Sequence, residues 1–115
     1  VLLIGEATYA LTYDDFFYLK LDDLAVKGKS VGIGIYTALD DIKPKYNISK
    51  RYHDDMMKQY KEQSFRKAIT LCVMLKGHFD GKMDGYYDMW IERCEYMLTQ
   101  DLPEDWDGIF RATTK

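Results

Sequence analysis

The sequence predicts a mixed α/β (α+β) chain in two parts: a strand, a short helix and an antiparallel hairpin, then three helices. Three observations predict it. β-Favouring residues punctuated by glycine dominate the stretch before Leu39, and a break containing Pro44 follows. Beyond Ser49, apolar residues recur every three or four positions. A length of 115 residues, 47% hydrophobic and 30% charged, fits a globular protein with one modest core and is too apolar for disorder.

Val1 to Ile4 is an apolar run suited to a buried strand, which Gly5 ends, and Glu6 to Tyr13 fits a short helix broken by Asp14-Asp15. Phe16 to Val26 reads as a strand, with Phe16, Phe17, Tyr18 and Val26 favouring extended backbone. Lys27-Gly28-Lys29 supplies a tight turn, since glycine accepts the positive φ that such turns demand. Val31 to Leu39 is the partner strand, and Gly32 and Gly34 leave one of its faces bare for close approach. Residues 41–48 form a linker, and Ser49 is read as the N-cap of a helix from Lys50 to Gln63. A second helix runs from Phe65 to Phe79 on Ala68, Cys72 and Leu75. A turn from Asp80 to Gly85, with Asp84 as cap, precedes a third helix from Tyr86 to Thr99 carrying Trp90, Cys94 and Leu98. Leu102-Pro103 stops that helix, and an ordered tail holds Trp106 and Phe110.

Charge is unevenly placed. Residues 1–40 carry Lys20, Lys27 and Lys29 against six carboxylates, whereas the rest is balanced. No broad basic surface for nucleic acid is present, and no apolar run approaches the ~20 residues of a membrane span. Cys72 and Cys94 fall on apolar helical faces with no C-x-x-C spacing, and read as buried free thiols of a cytoplasmic protein. Asp14-Asp15, Asp22-Asp23 and Asp40-Asp41 flank turns and strand ends and read as solvated caps; His53 and His78 are isolated and receive no role. Gly28-Lys29-Ser30 is not a P-loop, because Asp23 stands where the first glycine is required and a strand follows. Nor is Asp80-x-x-x-Asp84-Gly85 a calcium loop, because Lys82 and Ile91 occupy ligand positions.

The stretch Leu21-Asp22-Asp23-Leu24-Ala25-Val26-Lys27-Gly28-Lys29, with a following strand ending near Tyr36, resembles the last hairpin of a class III nucleotidyl cyclase catalytic domain. Val1-Leu2-Leu3-Ile4-Gly5-Glu6-Ala7-Thr8-Tyr9 resembles the strand and short helix that precede it there. Downstream, Tyr60, Ala68, Glu92-Arg93-Cys94 and Asp105-Trp106-Asp107-Gly108 resemble, in order, elements of the C-terminal tail of bacterial members. The resemblance implies an enzyme converting ATP or GTP to a cyclic 3′,5′-nucleotide and pyrophosphate, as a homodimer with Mg2+ or Mn2+ held by carboxylates. It implies that Lys27 approaches the triphosphate, and that the metal ligands and the transition-state Asn and Arg lie upstream of Val1. The chain is then a piece of a longer protein, inactive alone: residues 1–40 end the catalytic domain and 49–115 are a helical extension. Tyr60, Phe65, Ala68, Cys72 and Leu75 also resemble one tetratricopeptide repeat, with Met56 in the approximate place of its glycine; a solenoid needs about three such units. A single helical pair packing on the sheet is therefore expected. The rival reading is a non-catalytic helical module for interaction or dimerisation.

Overall fold

A computed structural model describes residues 2–25, 32–39 and 44–111. It is mixed α+β, and the chain divides into two units, Val1–Ile42 with Asp107–Lys115, and Lys43–Trp106.

In the first unit the elements are β1 (Ile4–Gly5), α1 (Glu6–Thr12), β2 (Phe17–Leu24) and β3 (Ile33–Leu39). The sheet is antiparallel with order β1-β3-β2. Gly5, expected to end the first strand, pairs with Ile35 and leads directly into α1. Register fixes the faces, because side chains alternate along a strand. Phe17 opposite Leu39 and Leu19 opposite Thr37 define one face, on which Leu19, Thr37 and Leu39 are buried. Tyr18 opposite Ala38 and Lys20 opposite Tyr36 define the other. There α1 lies against the sheet: the Tyr9 ring stacks on Tyr36 at 3.9 Å and meets Tyr18 edge-on at 5.1 Å. The Tyr18 and Thr12 hydroxyls hydrogen-bond at 2.6 Å. Both bare glycine positions are used. The Tyr36 ring lies over Gly34, where a Cβ would meet it at 3.0 Å, and the Ile109 side chain lies against Gly32.

In the second unit α2 (Lys45–Lys61), α3 (Phe65–Leu75) and α4 (Asp84–Met97) place a buried residue at nearly every turn. Tyr46, His53, Met56 and Tyr60 come from α2, Phe65, Ala68, Cys72 and Leu75 from α3, and Tyr87, Trp90, Cys94 and Met97 from α4. That spacing is the apolar stripe of a helix facing a core. α2 begins at Lys45 rather than Lys50. Pro44 sets the helical φ and lacks the donor that a first turn leaves unpaired, so it starts a helix well. Ser49 therefore lies inside α2, buried, and is not its N-cap. α3 stops at Leu75, and the turns before α4 include Gly77, Asp80 and Gly81 at positive φ. Asp84 is the first residue of α4 rather than its cap; its carboxylate accepts the Gly77 N–H at 2.7 Å.

Two contacts join α2 to the segment that ends in α4. Tyr46 donates to Asp80, in the turn before α4, at 2.6 Å, and the Tyr87 hydroxyl hydrogen-bonds His53 Nδ1 at 2.8 Å.

Candidate functional site

Lys27, the one residue assigned to phosphate, lies outside the described residues, as do Gly28 and Lys29 of its turn and the pair Asp40-Asp41. The structure describes the strands on either side. β2 and β3 pair antiparallel from Phe17 opposite Leu39 to Leu24 opposite Ile33.

A bulge interrupts that pairing. Lys20 is opposite Tyr36 but Asp22 is opposite Ile35, so Leu21 is an extra residue. Lys20 and Asp23 are three apart and in a regular strand would point to opposite faces. The extra residue returns them to one face, where they form an ion pair at 2.9 Å. Asp23 is therefore not the solvated cap expected; its side chain is 13% exposed. Asp22 turns its carboxylate to the Asp23 N–H at 2.8 Å. Burial opposes the charge on Lys20, but the hydrogen bond and charge of Asp23, with Tyr36 and Glu6 behind it, hold its ammonium above the usual lysine range. Burial likewise raises the Tyr36 phenol, partly offset by Lys20. The cluster is an electrostatic tie beneath the aromatic stack, and its cation is already engaged.

The tail elements have structural partners. Trp106 packs edge-on against Tyr60 at 5.3 Å and Phe65 at 5.9 Å. Asp107 accepts two hydrogen bonds from Arg111, at 2.8 and 3.0 Å, and one from the Ile109 N–H. The Arg111 guanidinium, then that N–H, hold the Asp107 carboxyl below the usual range. Gly108 has φ +82°, a conformation that favours glycine. In the Glu92-Arg93-Cys94 element, Glu92 is exposed and the Arg93 guanidinium lies over the Trp90 ring at 4.6 Å. Cys94 is a buried free thiol, like Cys72, as the sequence predicts. Burial, then the neighbouring Cys94, pushes the Cys72 thiol up to about 12; burial pushes Cys94 up to about 11. Neither is a nucleophile at neutral pH.

The histidines, given no role from sequence, are structural partners. His53 is fully buried against Tyr87. His78 Nδ1 hydrogen-bonds the Ser49 hydroxyl at 3.0 Å beside a cleft of about 310 Å3 lined also by Lys45, Ile48 and Gly77. A serine–histidine relay needs a carboxylate to orient the ring. The neighbouring Asp80 is instead engaged by Tyr46 at 2.6 Å and Lys45 at 2.9 Å. The Ser49–His78 pair ties a helix to a loop. No local spacing signals it, because Ser49 and His78 are 29 residues apart.

Among the described residues no group of three His, Cys, Asp or Glu side chains is arranged to hold a metal ion. Among the same residues no helix is long and apolar enough to cross a membrane. No family model matches the chain, and no curated protein or solved structure matches it either.

Proposed function

We propose that residues 1–40 are the C-terminal end of a class III nucleotidyl cyclase catalytic domain, whose parent makes a cyclic 3′,5′-nucleotide from ATP or GTP. The observation that carries this reading is the order strand, short helix, antiparallel hairpin, with Lys27-Gly28-Lys29 in the sequence between β2 and β3. A second feature supports it. Leu2, Leu3, Leu11, Tyr13 and Phe16 are exposed in this unit, apolar side chains that the second subunit of a homodimeric parent could cover. In the reaction the 3′-oxygen bonds to the α-phosphorus, its proton is lost, and the bond to the pyrophosphate oxygen breaks. Lys27 acts on phosphate oxygens as a compact point charge. The carboxylates for Mg2+ or Mn2+ belong to the parent's upstream residues, the parent works as a homodimer, and its catalytic part faces the cytoplasm.

The test is the Lys27→Ala variant of the parent enzyme, assayed for cyclic nucleotide. A charge-assisted hydrogen bond is worth about 1.5–3 kcal/mol, so kcat/KM is expected to fall roughly 10- to 100-fold, with folding unchanged. Unaltered kcat and KM would remove Lys27 from the site. Absence of cyclase activity in the parent itself would remove the reading.

The division of the chain into two units, with a buried core of its own in the helical one, favours a second reading for that unit, as a non-catalytic interaction module. Both readings can hold in one parent.

A further inference from the structure

The chain beyond α4 changes partners at a single peptide bond: Trp106 belongs to the helical unit, and Asp107 to the sheet unit. On the helical side the Trp106 ring packs edge-on against the buried Tyr60 and Phe65. The Pro103 carbonyl accepts the Trp106 N–H at 3.2 Å and Gln63 Nε2 at 2.7 Å. Trp106 is half-buried and lies in no helix, so its seat can empty without unwinding one. On the sheet side Ile109 is 4% exposed, although α1 of the same unit buries no residue. Ile109 lies on Gly32, where a Cβ would meet its Cδ1 at 2.7 Å and its Cγ1 at 3.1 Å, with the Asp23 Cβ at 3.3 Å. Gly32 precedes Ile33, whose pairing with Leu24 ends the described ladder on the side where the sequence runs through Lys27-Gly28-Lys29. Ile109 therefore bears on the turn end of the hairpin.

We propose that residues 107–111 form a regulatory strap, through which the seating of Trp106 in the helical unit sets how firmly the β2–β3 hairpin is held. Trp106 and Ile109 are three residues apart, so at most about 11 Å of chain separates their anchors. Asp107 removes the slack between them. Its carboxylate accepts the Ile109 N–H at 3.0 Å and two hydrogen bonds from Arg111, which fixes the turn that delivers Ile109 to Gly32. Ile109 cannot stay seated while Trp106 moves freely, and the reverse holds by linkage. The two states are Trp106 seated with Ile109 on Gly32, and Trp106 released with the turn end of the hairpin uncovered. An effector that binds the helical unit more tightly in one of these states shifts the hairpin with it. Gly32 suits this role: its φ is not positive, so its backbone would accept a side chain, and the contact with Ile109 is what excludes one.

The bearing of the strap on catalysis rests on the cyclase reading; the coupling itself does not. Amide hydrogen exchange on the 115-residue chain tests the coupling. Ile109→Ala should speed exchange across Ile33–Leu39 roughly 3- to 30-fold, with Lys45–Lys61 still protected. Trp106→Ala, a change in the other unit, should speed exchange in the same strand, and should add little once Ile109 is already alanine. A four-residue Gly-Ser insertion between Trp106 and Asp107 keeps both anchors and slackens the strap. In that chain Trp106→Ala should leave Ile33–Leu39 unmoved. Unchanged exchange across Ile33–Leu39 in Trp106→Ala overturns the proposal, and so does an effect of equal size with the insertion present. The cyclase reading is judged apart, in the parent. Absence of cyclic nucleotide there removes that reading and leaves the strap, whereas failure of the exchange experiment removes the strap and leaves the reading.

Discussion

In the helical unit each of the three helices buries four or five residues, while α1 of the sheet unit buries none and leaves Leu11 85% exposed. The helices pack aromatic and thiol side chains from all three elements around one interior, with Trp90 meeting Tyr60 at 4.4 Å and Tyr86 at 5.9 Å. α1 is held to the sheet by the Tyr9–Tyr36 stack, the Tyr9–Tyr18 contact and one hydroxyl pair. A seven-residue helix is too short to persist on its own propensity, so these few contacts decide whether it forms. One unit carries a core to which every helix contributes; the other has a helix that contributes nothing to a core.

The largest test of this contrast is Trp90→Ala. Trp90 is 1% exposed and stands where α2 and α4 meet, under the Arg93 guanidinium. Its indole N–H has no hydrogen-bond partner, so truncation removes packing without stranding an acceptor. The expected loss is about 3–5 kcal/mol in urea unfolding of the chain. Leu11→Ala, the matched change in the sheet unit, should stay within about 0.5 kcal/mol. Equal losses would erase the contrast.

Next in size is the pH dependence carried by Cys72 and Cys94. Burial raises both thiols in the folded chain, to about 12 and about 11, against an ordinary value of 9.0. Above the ordinary value the unfolded chain releases these protons and the folded chain keeps them. Their contribution is thus fully present below pH 9.0 and is lost as pH rises toward the folded values. Between about pH 8 and 10 stability should fall by on the order of 1 kcal/mol per thiol. Urea midpoints at the two pH values measure it, and the doubly substituted Cys72→Ala, Cys94→Ala chain should show a shallower fall. An identical slope would assign the effect to other groups.

The two regions also differed in how far the sequence revealed them. Phe65, Ala68, Cys72 and Leu75 announced α3 through their spacing, and Leu19 stood on a buried strand face, because both signals are local periods. The Tyr9–Tyr36 stack joins residues far apart in the chain, and no local pattern encodes it. The bulge at Leu21 was invisible for a related reason: the spacing of Lys20 and Asp23 has meaning only once the pairing with β3 is known. Ser49 was misread as a cap because capping chemistry suits it, while Pro44 already supplied a start. The contacts of Tyr46 with Asp80 and of His53 with Tyr87 are equally hidden, because no local period relates residues so far apart in the chain. Lys27 was legible only through resemblance, since a lysine beside a turn glycine has no distinctive local chemistry.

The smallest expected effect sharpens the comparison most, because it isolates what holds α1. Tyr36→Leu keeps an apolar side chain over Gly34 but removes the ring that lies parallel to Tyr9, 1° from coplanar orientation at 3.9 Å. Aromatic pairing beyond area burial is worth about 0.5–1.5 kcal/mol, and Tyr36 is only half-buried, so global unfolding should shift by no more than that. The local effect should exceed the global one. α1 has no buried residue of its own, so losing the stack lets it open without unfolding the helical unit. Amide hydrogen exchange reads this directly: protection across Glu6–Thr12 should fall while that of Phe65–Leu75 stays fixed. Loss of protection in both segments together would mean that they unfold as one cooperative body.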